Sequence, residues 1–380
     1  MRFKLHVAVA SVALVGAAFG SAPPAAAHDP QHHHHGKHHH AKLTVIARGL
    51  DNPRGLAIGP DGVVLVTEAG RGGSGPCLPG SAGEQLCLGA TGAITAIWKG
   101  HQHRIATGLP SLSNESKTDV LGPHDLVLSR GGLFVSIGLG ANPANRPLLG
   151  AAGQLTGQIV RLKPSGKVSA FADLAAYELA NNPDQGQPGT AVDSNPYGLL
   201  AHPKGGVVAT DAGGNDLLRV DKKGHISLLA VFPVTPTPAP DGTVVPMQFV
   251  PTTVVRGPDG AYYVGQLTGF PFPVGGAKVW RIVPGHAPTV YASGFTNIID
   301  IAFDHHGRLL VLEMFKNGLL SNDPTGALIR VERNGSHTEL ASTGLVTPSS
   351  VAVGSDGCIY IANKGTLVGQ GEVLRLSPHH

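Results

Sequence analysis

Apolar residues in this chain come in short runs that alternate with polar positions and are cut by glycine turns. The clearest stretch is Asn195–Phe232, with four such runs at 197–201, 207–210, 216–220 and 226–232. Lys204-Gly205-Gly206 and Lys222-Lys223-Gly224 separate pairs of them with tight-turn chemistry. Short β-branched runs between glycine turns predict an antiparallel meander. A single four-stranded sheet cannot bury both of its faces, so it needs neighbours like itself.

The chain supplies them. The third run recurs six times: GAITAI (Gly92–Ile97), GQIVRL (Gly157–Leu162), NDLLRV (Asn215–Val220), AKVWRI (Ala277–Ile282), GALIRV (Gly326–Val331) and GEVLRL (Gly371–Leu376). Arg161, Arg219, Arg281, Arg330 and Arg375 hold one position in five of them, which alternation places on the same sheet face in each unit. The first run recurs as PRGLAI, PHDLVL, PYGLLA, PTTVVR, IIDIAF and PSSVAV, each followed by a tight turn and a second strand such as VVLVTE or LLVLEM. A β-sandwich would not repeat turn chemistry in register six times. The pattern predicts an all-β fold, a six-bladed β-propeller of four-stranded antiparallel blades over residues 42–380. The sixth unit stops at Ser377 with no fourth strand, whereas LTVIARGL (Leu43–Leu50) precedes the first unit as a surplus one. The N-terminal strand is therefore expected to complete the last blade, which removes an open sheet edge.

Ahead of the repeats, Arg2 and Lys4 lead into the apolar stretch Leu5–Gly20, and Ala25-Ala26-Ala27 offers small residues for cleavage. Residues 1–27 read as a secretory signal peptide. No second apolar segment of spanning length follows, so the mature chain is expected to be secreted or extracytoplasmic, with no membrane span. Residues 28–41 are His-rich with almost nothing apolar to dock them and read as a disordered linker. His32, His33, His34, His35, His38, His39 and His40 give it affinity for divalent metals such as Zn²⁺, Cu²⁺ or Ni²⁺, without a fixed geometry. That leaves the cofactor open, with a divalent metal as the class the sequence admits.

Composition narrows the function. The 380 residues include 53 glycines and 30 prolines, and only 14% are charged. A net charge of +3 and 5% aromatic residues give neither an electrostatic footprint nor a stacking platform for nucleic acid. The chain is expected to be a monomer whose partner is a small molecule, a glycan or a protein. Loop length points to where it binds. Turns between first and second strands, and between third and fourth, are uniformly short. The long insertions, at 69–91, 139–156, 173–195, 233–248, 268–276, 315–325 and 363–370, all belong to the opposite face, and loops of this length in a compact domain are usually functional. Within the first, Cys77 and Cys87 are expected to form a disulfide stapling a loop too glycine-rich to pack itself. Cys358 reads as a buried apolar filler.

Polar residues gather where the first strands begin. The position after the first-strand proline holds Arg54, His124, Tyr197, Thr252 and Ser349, and the next adds Asp125 and Asp300. Second strands end in Glu68, Asp211, Gln266, Glu313 and Asn363, and Asn215 sits in the turn after Asp211. Arg54, His124 and Tyr197, at equivalent sites of three successive blades, are the candidate catalytic set, able to bind an anionic or carbonyl group and move a proton. Glu68, Asp125, Asp211, Asn215, Gln266, Glu313 and Asn363 are candidate ligand-binding residues. The same groups could instead hydrogen-bond strand ends around a wet channel. A central calcium site would need several oxygen ligands, and the level of Asp125 and Asp300 lacks the glutamate and asparagines expected. There is no nucleophile elbow, phosphate loop or zinc-protease motif.

GRGGSGPC with its paired Cys87, LGPHDLVL, NPYGLL and DAGGNDLLRV together resemble the ScyD/ScyE family of exported propellers over about residues 42–380. DAGGNDLLRV is also similar to an NHL-type repeat. The resemblance implies a six-bladed TolB-like propeller, extracytoplasmic, with no firmly assigned reaction. Two functional classes follow: a binding module acting through the long-loop face, and a lyase or hydrolase of a small exported metabolite with its site at the channel mouth. Six-bladed lactonases and sugar dehydrogenases support the second by fold analogy alone.

Overall fold

A computed structural model describes residues 43–163 and 165–377. The signal-peptide and His-rich readings, including the seven candidate metal-binding histidines between His32 and His40, lie outside the described residues. The described chain forms six blades. Blade 3 shows the plan: Pro196–Ala201 innermost, then Val207–Asp211, Asp216–Val220 and Ile226–Val231, each antiparallel to the last. The other inner strands are Pro53–Ile58, Pro123–Ser129, Pro251–Arg256, Ile298–Phe303 and Ser350–Val353, and each packs against the inner strands on both sides, closing the ring. In the last blade Leu43–Leu50 lies outermost, paired antiparallel with Gly371–Leu376 from Leu43 opposite Leu376 to Leu50 opposite Gly371.

The core is distributed between blades. Six apolar clusters fill the six seams; the one joining blade 2 to blade 3, for example, packs Phe134 and Ile159 against Leu199, Val207 and Leu218. A strand inside such a ring is covered on both faces, so every residue of Val64–Glu68, Val207–Asp211 and Leu309–Glu313 is buried. This is why the second strands read as continuous apolar runs and only the outer ones alternate. Leu50 and Ala47 enter the seam between the last blade and the first, beside Val66, Ile97 and Val373. Gln102 of blade 1 clamps the closing strand, its Oε1 accepting from the Arg48 N–H at 3.0 Å and its Nε2 donating to the Arg48 carbonyl at 2.8 Å.

Blade 1 departs from the expected plan. Its third and fourth strands, Gln85–Trp98 and His101–Ser113, run 14 and 13 residues, far past the ring. Cys77–Pro79 and Val120–Leu121 pair onto these extensions, so the second half of 69–91 is strand rather than loop. Cys77 and Cys87 face each other across that ladder and are disulfide-bonded. The glycine-rich insertion does pack itself: Leu78 and Leu86 are fully buried with Leu112, Leu139, Leu149 and Ala175 under the extension. A Cβ on Gly89 would run into the Gly72 carbonyl, so the two chains cross only because glycine stands there. Cys358 is free and buried, in the seam between the last blade and the first.

The loop asymmetry holds in three dimensions. The face where the inner strands begin carries the blade 1 extension, the 3-10 segment Pro143–Leu149, the helix Leu174–Asn181 and the hairpin Thr235–Pro238/Val244–Met247. The helix starts where the Asp173 carboxylate accepts from the Ala176 N–H at 2.9 Å, an N-cap that holds the insertion in place. Among the described residues the opposite face carries only tight turns.

Candidate functional site at the channel mouth

Successive positions of the six inner strands stack as rings along the channel. The third-position ring consists of Gly55, Asp125, Gly198, Thr253, Asp300 and Ser350. Asp125 and Asp300 stand on blades opposite each other. Asp300 accepts from the Thr253 and Ser350 hydroxyls at 2.6 Å each and from the Ile301 and Val351 N–H groups at 2.8 Å each. Asp125 takes the Leu126 N–H at 2.8 Å and the Leu199 N–H at 2.7 Å. A Cβ at Gly55 would strike the Asp125 carboxylate, which explains the glycine beside it. Both carboxylates therefore tie neighbouring blades. Burial, then the like charge of Asp300, push the Asp125 carboxyl well above its usual range.

One ring nearer the mouth, the side chains follow a rule. The Thr252 hydroxyl donates to the Ile298 carbonyl at 3.0 Å, and the Ser349 hydroxyl donates to the Pro53 carbonyl at 2.7 Å. His124 Nδ1 lies 3.0 Å from the Pro196 carbonyl. Each reaches the residue that opens the next blade. A carbonyl only accepts, so Nδ1 carries the proton and Nε2 is left as a lone pair. Thr252 and Ser349 are spent in making the tie. His124 has a second nitrogen, and that nitrogen is buried without a partner.

The three residues singled out from sequence do come together here. The His124 and Tyr197 rings lie 4.5 Å apart between centroids, tilted by 32°. Arg54 donates from Nη2 to the Val120 carbonyl at 2.9 Å and leaves Nε unpartnered. Burial, reinforced by the Arg54 charge, holds the His124 imidazole down to about 3, so it is neutral. Burial raises the Tyr197 phenol. A fourth residue joins them: Asn195, half-buried, has an Oδ1 with no partner. A methyl on Gly138 would lie 2.7 Å from that oxygen and 2.8 Å from His124 Nε2, so both acceptors border the space that Gly138 leaves. Gly138 carried no sequence signal because it does not repeat between blades; Asn195 shares its position ahead of the first strand with Asn52 and Asn297, a recurrence that could have marked it.

The second-strand ends are placed differently. Glu68, Asp211, Glu313 and Asn363 accept, respectively, from the N–H groups of Asp51, Asn195, Thr296 and Val346, at 2.6–2.8 Å. Each donor belongs to the segment leading into the same blade. The acidic or amide side chain thus buttons its own first strand to its second. Glu68 is also held by Arg104 and by the Thr95 hydroxyl. Gln266 takes the Trp280 indole N–H at 3.4 Å. Asn215 donates to Asp184 and Gln248 and accepts from the Val250 N–H. These residues frame the mouth, and each has at least one polar atom engaged within the protein. Among the described residues no three acidic, imidazole or thiol groups form a ready metal centre, and no helix is long and apolar enough to cross a membrane.

No family profile and no curated protein sequence matches the chain. Similar solved structures do. A protein of unknown function from Bacteroides thetaiotaomicron superposes over 88% of this chain and 75% of its own, at 9% identity and TM-score 0.55. A gluconolactonase from Xanthomonas campestris does so over 89% and 90%, at 12% identity and TM-score 0.53. A glucose dehydrogenase does so over 89% and 100%, at 12% identity and TM-score 0.51. At these identities the likeness is one of fold, a six-bladed β-propeller.

Proposed function

We propose that the chain is a secreted, ScyD/ScyE-like propeller that binds a small ligand at the channel mouth on its long-loop face. The observation that carries this reading is the set of unpartnered polar atoms at that mouth: His124 Nε2, Asn195 Oδ1 and Arg54 Nε. Thr252 and Ser349, the equivalents of His124 in two other blades, spend their hydroxyls on the neighbouring blade, and buried polar atoms without partners cost about 1–3 kcal/mol each. Two acceptors and a guanidinium donor suit a molecule that offers O–H or N–H groups to His124 and Asn195 and an oxygen to Arg54.

A hydrolase or lyase remains the second reading, because a neutral imidazole with a free nitrogen can accept a proton. Its basicity argues for binding. A group titrating at about 3 is a poor base at neutral pH, far from the matched value that general-base catalysis favours. Native mass spectrometry of the purified protein, followed by a hydroxy-acid and sugar-acid binding screen, tests the proposal. His124→Ala and Arg54→Met should each weaken binding tenfold or more. Turnover of a retained compound would establish the enzyme reading instead, and ligand binding that survives both substitutions would place the site elsewhere.

A further inference from the structure

The small overall charge hides an uneven surface on the face opposite the mouth. In blades 4, 5 and 6 the recurrent third-strand arginine is neutralised by a nearby acid: Arg281 donates to Asp259 at 2.7 Å, Arg330 to Glu332 at 2.7 Å and Arg375 to Asp356 at 3.2 Å. Asp259 and Asp356 hold the same place in the turn between first and second strands. In blade 3 that place is taken by Lys204, and in the shorter turn of blade 2 by Arg130. The charge at one turn position is thus reversed in two adjacent blades. Arg161 and Arg219 keep the arginine position there, and among the described residues neither has an ion pair of the kind made in blades 4 to 6.

The turns between third and fourth strands add to this surface. Lys163 and Lys167 close that of blade 2, the Lys163 N–H donating to the Lys167 carbonyl at 2.9 Å. Lys222 and Lys223 stand in that of blade 3. Of these eight cations only Arg219 is half-buried; the others are exposed. The turns are contiguous. The Ser129 hydroxyl donates to the Gly206 carbonyl at 3.2 Å, joining the inner turns of the two blades. A Cβ on Gly205 would lie 3.4 Å from that of Lys222, and one on Gly132 would lie 3.3 Å from Arg161 Nε. The one carboxylate in these turns, Asp221, accepts from the Lys223 and His225 N–H groups at 2.7 and 3.0 Å. Burial, then the charges of Arg219, Lys204 and Arg256, hold the His202 imidazole below its usual range, as a positive local field requires. Like charges gathered in this way oppose folding through self-repulsion, so their use lies outside the fold.

We propose that this face binds an anionic polysaccharide whose carboxylate or sulfate groups lie along the cations of blades 2 and 3. A flat surface of short turns suits an extended polymer with repeated charges. The Arg161 and Arg130 guanidinium groups can each take two oxygens of one anionic group, and the lysines serve as point charges. The four turns read SRGG, KPSGK, HPKGG and DKKGH and hold no large apolar residue, whereas a bilayer-docking surface offers Trp, Phe or Leu to the interface. Export, expected from residues 1–27, would bring the chain among extracellular glycans rather than nucleic acids. The channel mouth lies on the other face, so both surfaces can be occupied at once.

Alginate and heparin, a carboxylated and a sulfated polymer, are the probes, used at about pH 8, where the histidines of 28–41 are neutral. The full chain should bind at least one of them in titration calorimetry at low salt and release it as salt rises. Lys204→Glu combined with Lys222→Glu should weaken binding at least tenfold. Lys99→Glu combined with Arg333→Glu makes the same change in net charge on blades 1 and 5 and should bind within twofold of the parent. Should the first pair fail to fold by circular dichroism, Lys204→Gln combined with Lys222→Gln should still weaken binding at least threefold. Equal weakening by the two folded pairs, no binding of either polymer by the folded parent, or binding only to phosphatidylglycerol vesicles or duplex DNA would overturn the proposal.

Discussion

Removing the closing strand gives the most demanding test of the architecture. A chain beginning at Asp51 lacks Leu43–Leu50, while one beginning at Leu43 retains it. In that strand Leu50 and Ala47 are 1% and 4% exposed, and Leu43, Val45 and Ile46 are partly buried. At roughly 25 cal/mol per Å² of apolar surface, the two buried side chains and three half-buried ones together contribute about 6 kcal/mol. The strand also supplies the ladder to Gly371–Leu376 and the two Gln102 bonds. A loss of this size is comparable to the whole stability of many domains. At about 2 °C per kcal/mol, the melting temperature should fall by on the order of 10 °C or more. The bare edge of Gly371–Leu376, with apolar Val373 and Leu374 beside it, should then drive aggregation. Differential scanning calorimetry and size-exclusion chromatography of the two chains measure both effects. Melting within a degree or two of each other, with both monodisperse, would mean that the ring does not depend on this strand.

Mass mapping of unreduced protein should find Cys77 linked to Cys87 and Cys358 as a free thiol that alkylates only on unfolding. Replacing both bridged cysteines by serine should lower stability by about 2 kcal/mol, read from denaturant unfolding. His124 is held at about 3 in the folded chain against 6.5 in the unfolded one. Its neutral form therefore contributes stability that is full above pH 6.5 and is lost as pH falls toward 3; the acid limb of a melting-temperature profile should flatten in His124→Gln. Two buried carboxyls of blade 3 have the opposite sign: burial pushes Glu178 up to about 8 and Asp193 up to about 7, from ordinary values of 4.5 and 3.8. The folded chain keeps protons that the unfolded chain releases, so this contribution should be lost as pH rises from about 4 to 8, and Glu178→Gln should flatten that slope in a melting-temperature profile.

Much of the fold was legible because a propeller repeats its solution. Six copies of alternating strand, glycine turn and apolar second strand, five of them opened by proline, report the same packing problem, and variation between copies marks the loops. Blade 1 was less legible. Its strands overrun the ring into a segment whose glycines look like loop, and only the burial of Leu78 and Leu86 against Leu112 and Leu149 reveals a small second core. Glu68, Asp211, Glu313 and Asn363 show the limit of position-based reading. Their register at the mouth was visible, but a strand end can turn its side chain to the channel or back to its own backbone. The partner that decides, an N–H just ahead of the same blade's first strand, is not encoded in side-chain identity.

The mouth is anchored from within blade 3, where Asp211 holds the Ser194 hydroxyl and the Asn195 N–H. Asn195 then presents its Oδ1 beside His124, the Pro196 carbonyl fixes the His124 ring, and Tyr197 stacks on it. Burial raises the Asp211 carboxyl, against the pull of the Ser194 hydroxyl and the N–H groups of Asn195, Gly213 and Gly214 that donate to it. The pose of His124 is in this way tied to the Asp211 carboxylate through Asn195 and Pro196, so that blade 3 positions a side chain of blade 2.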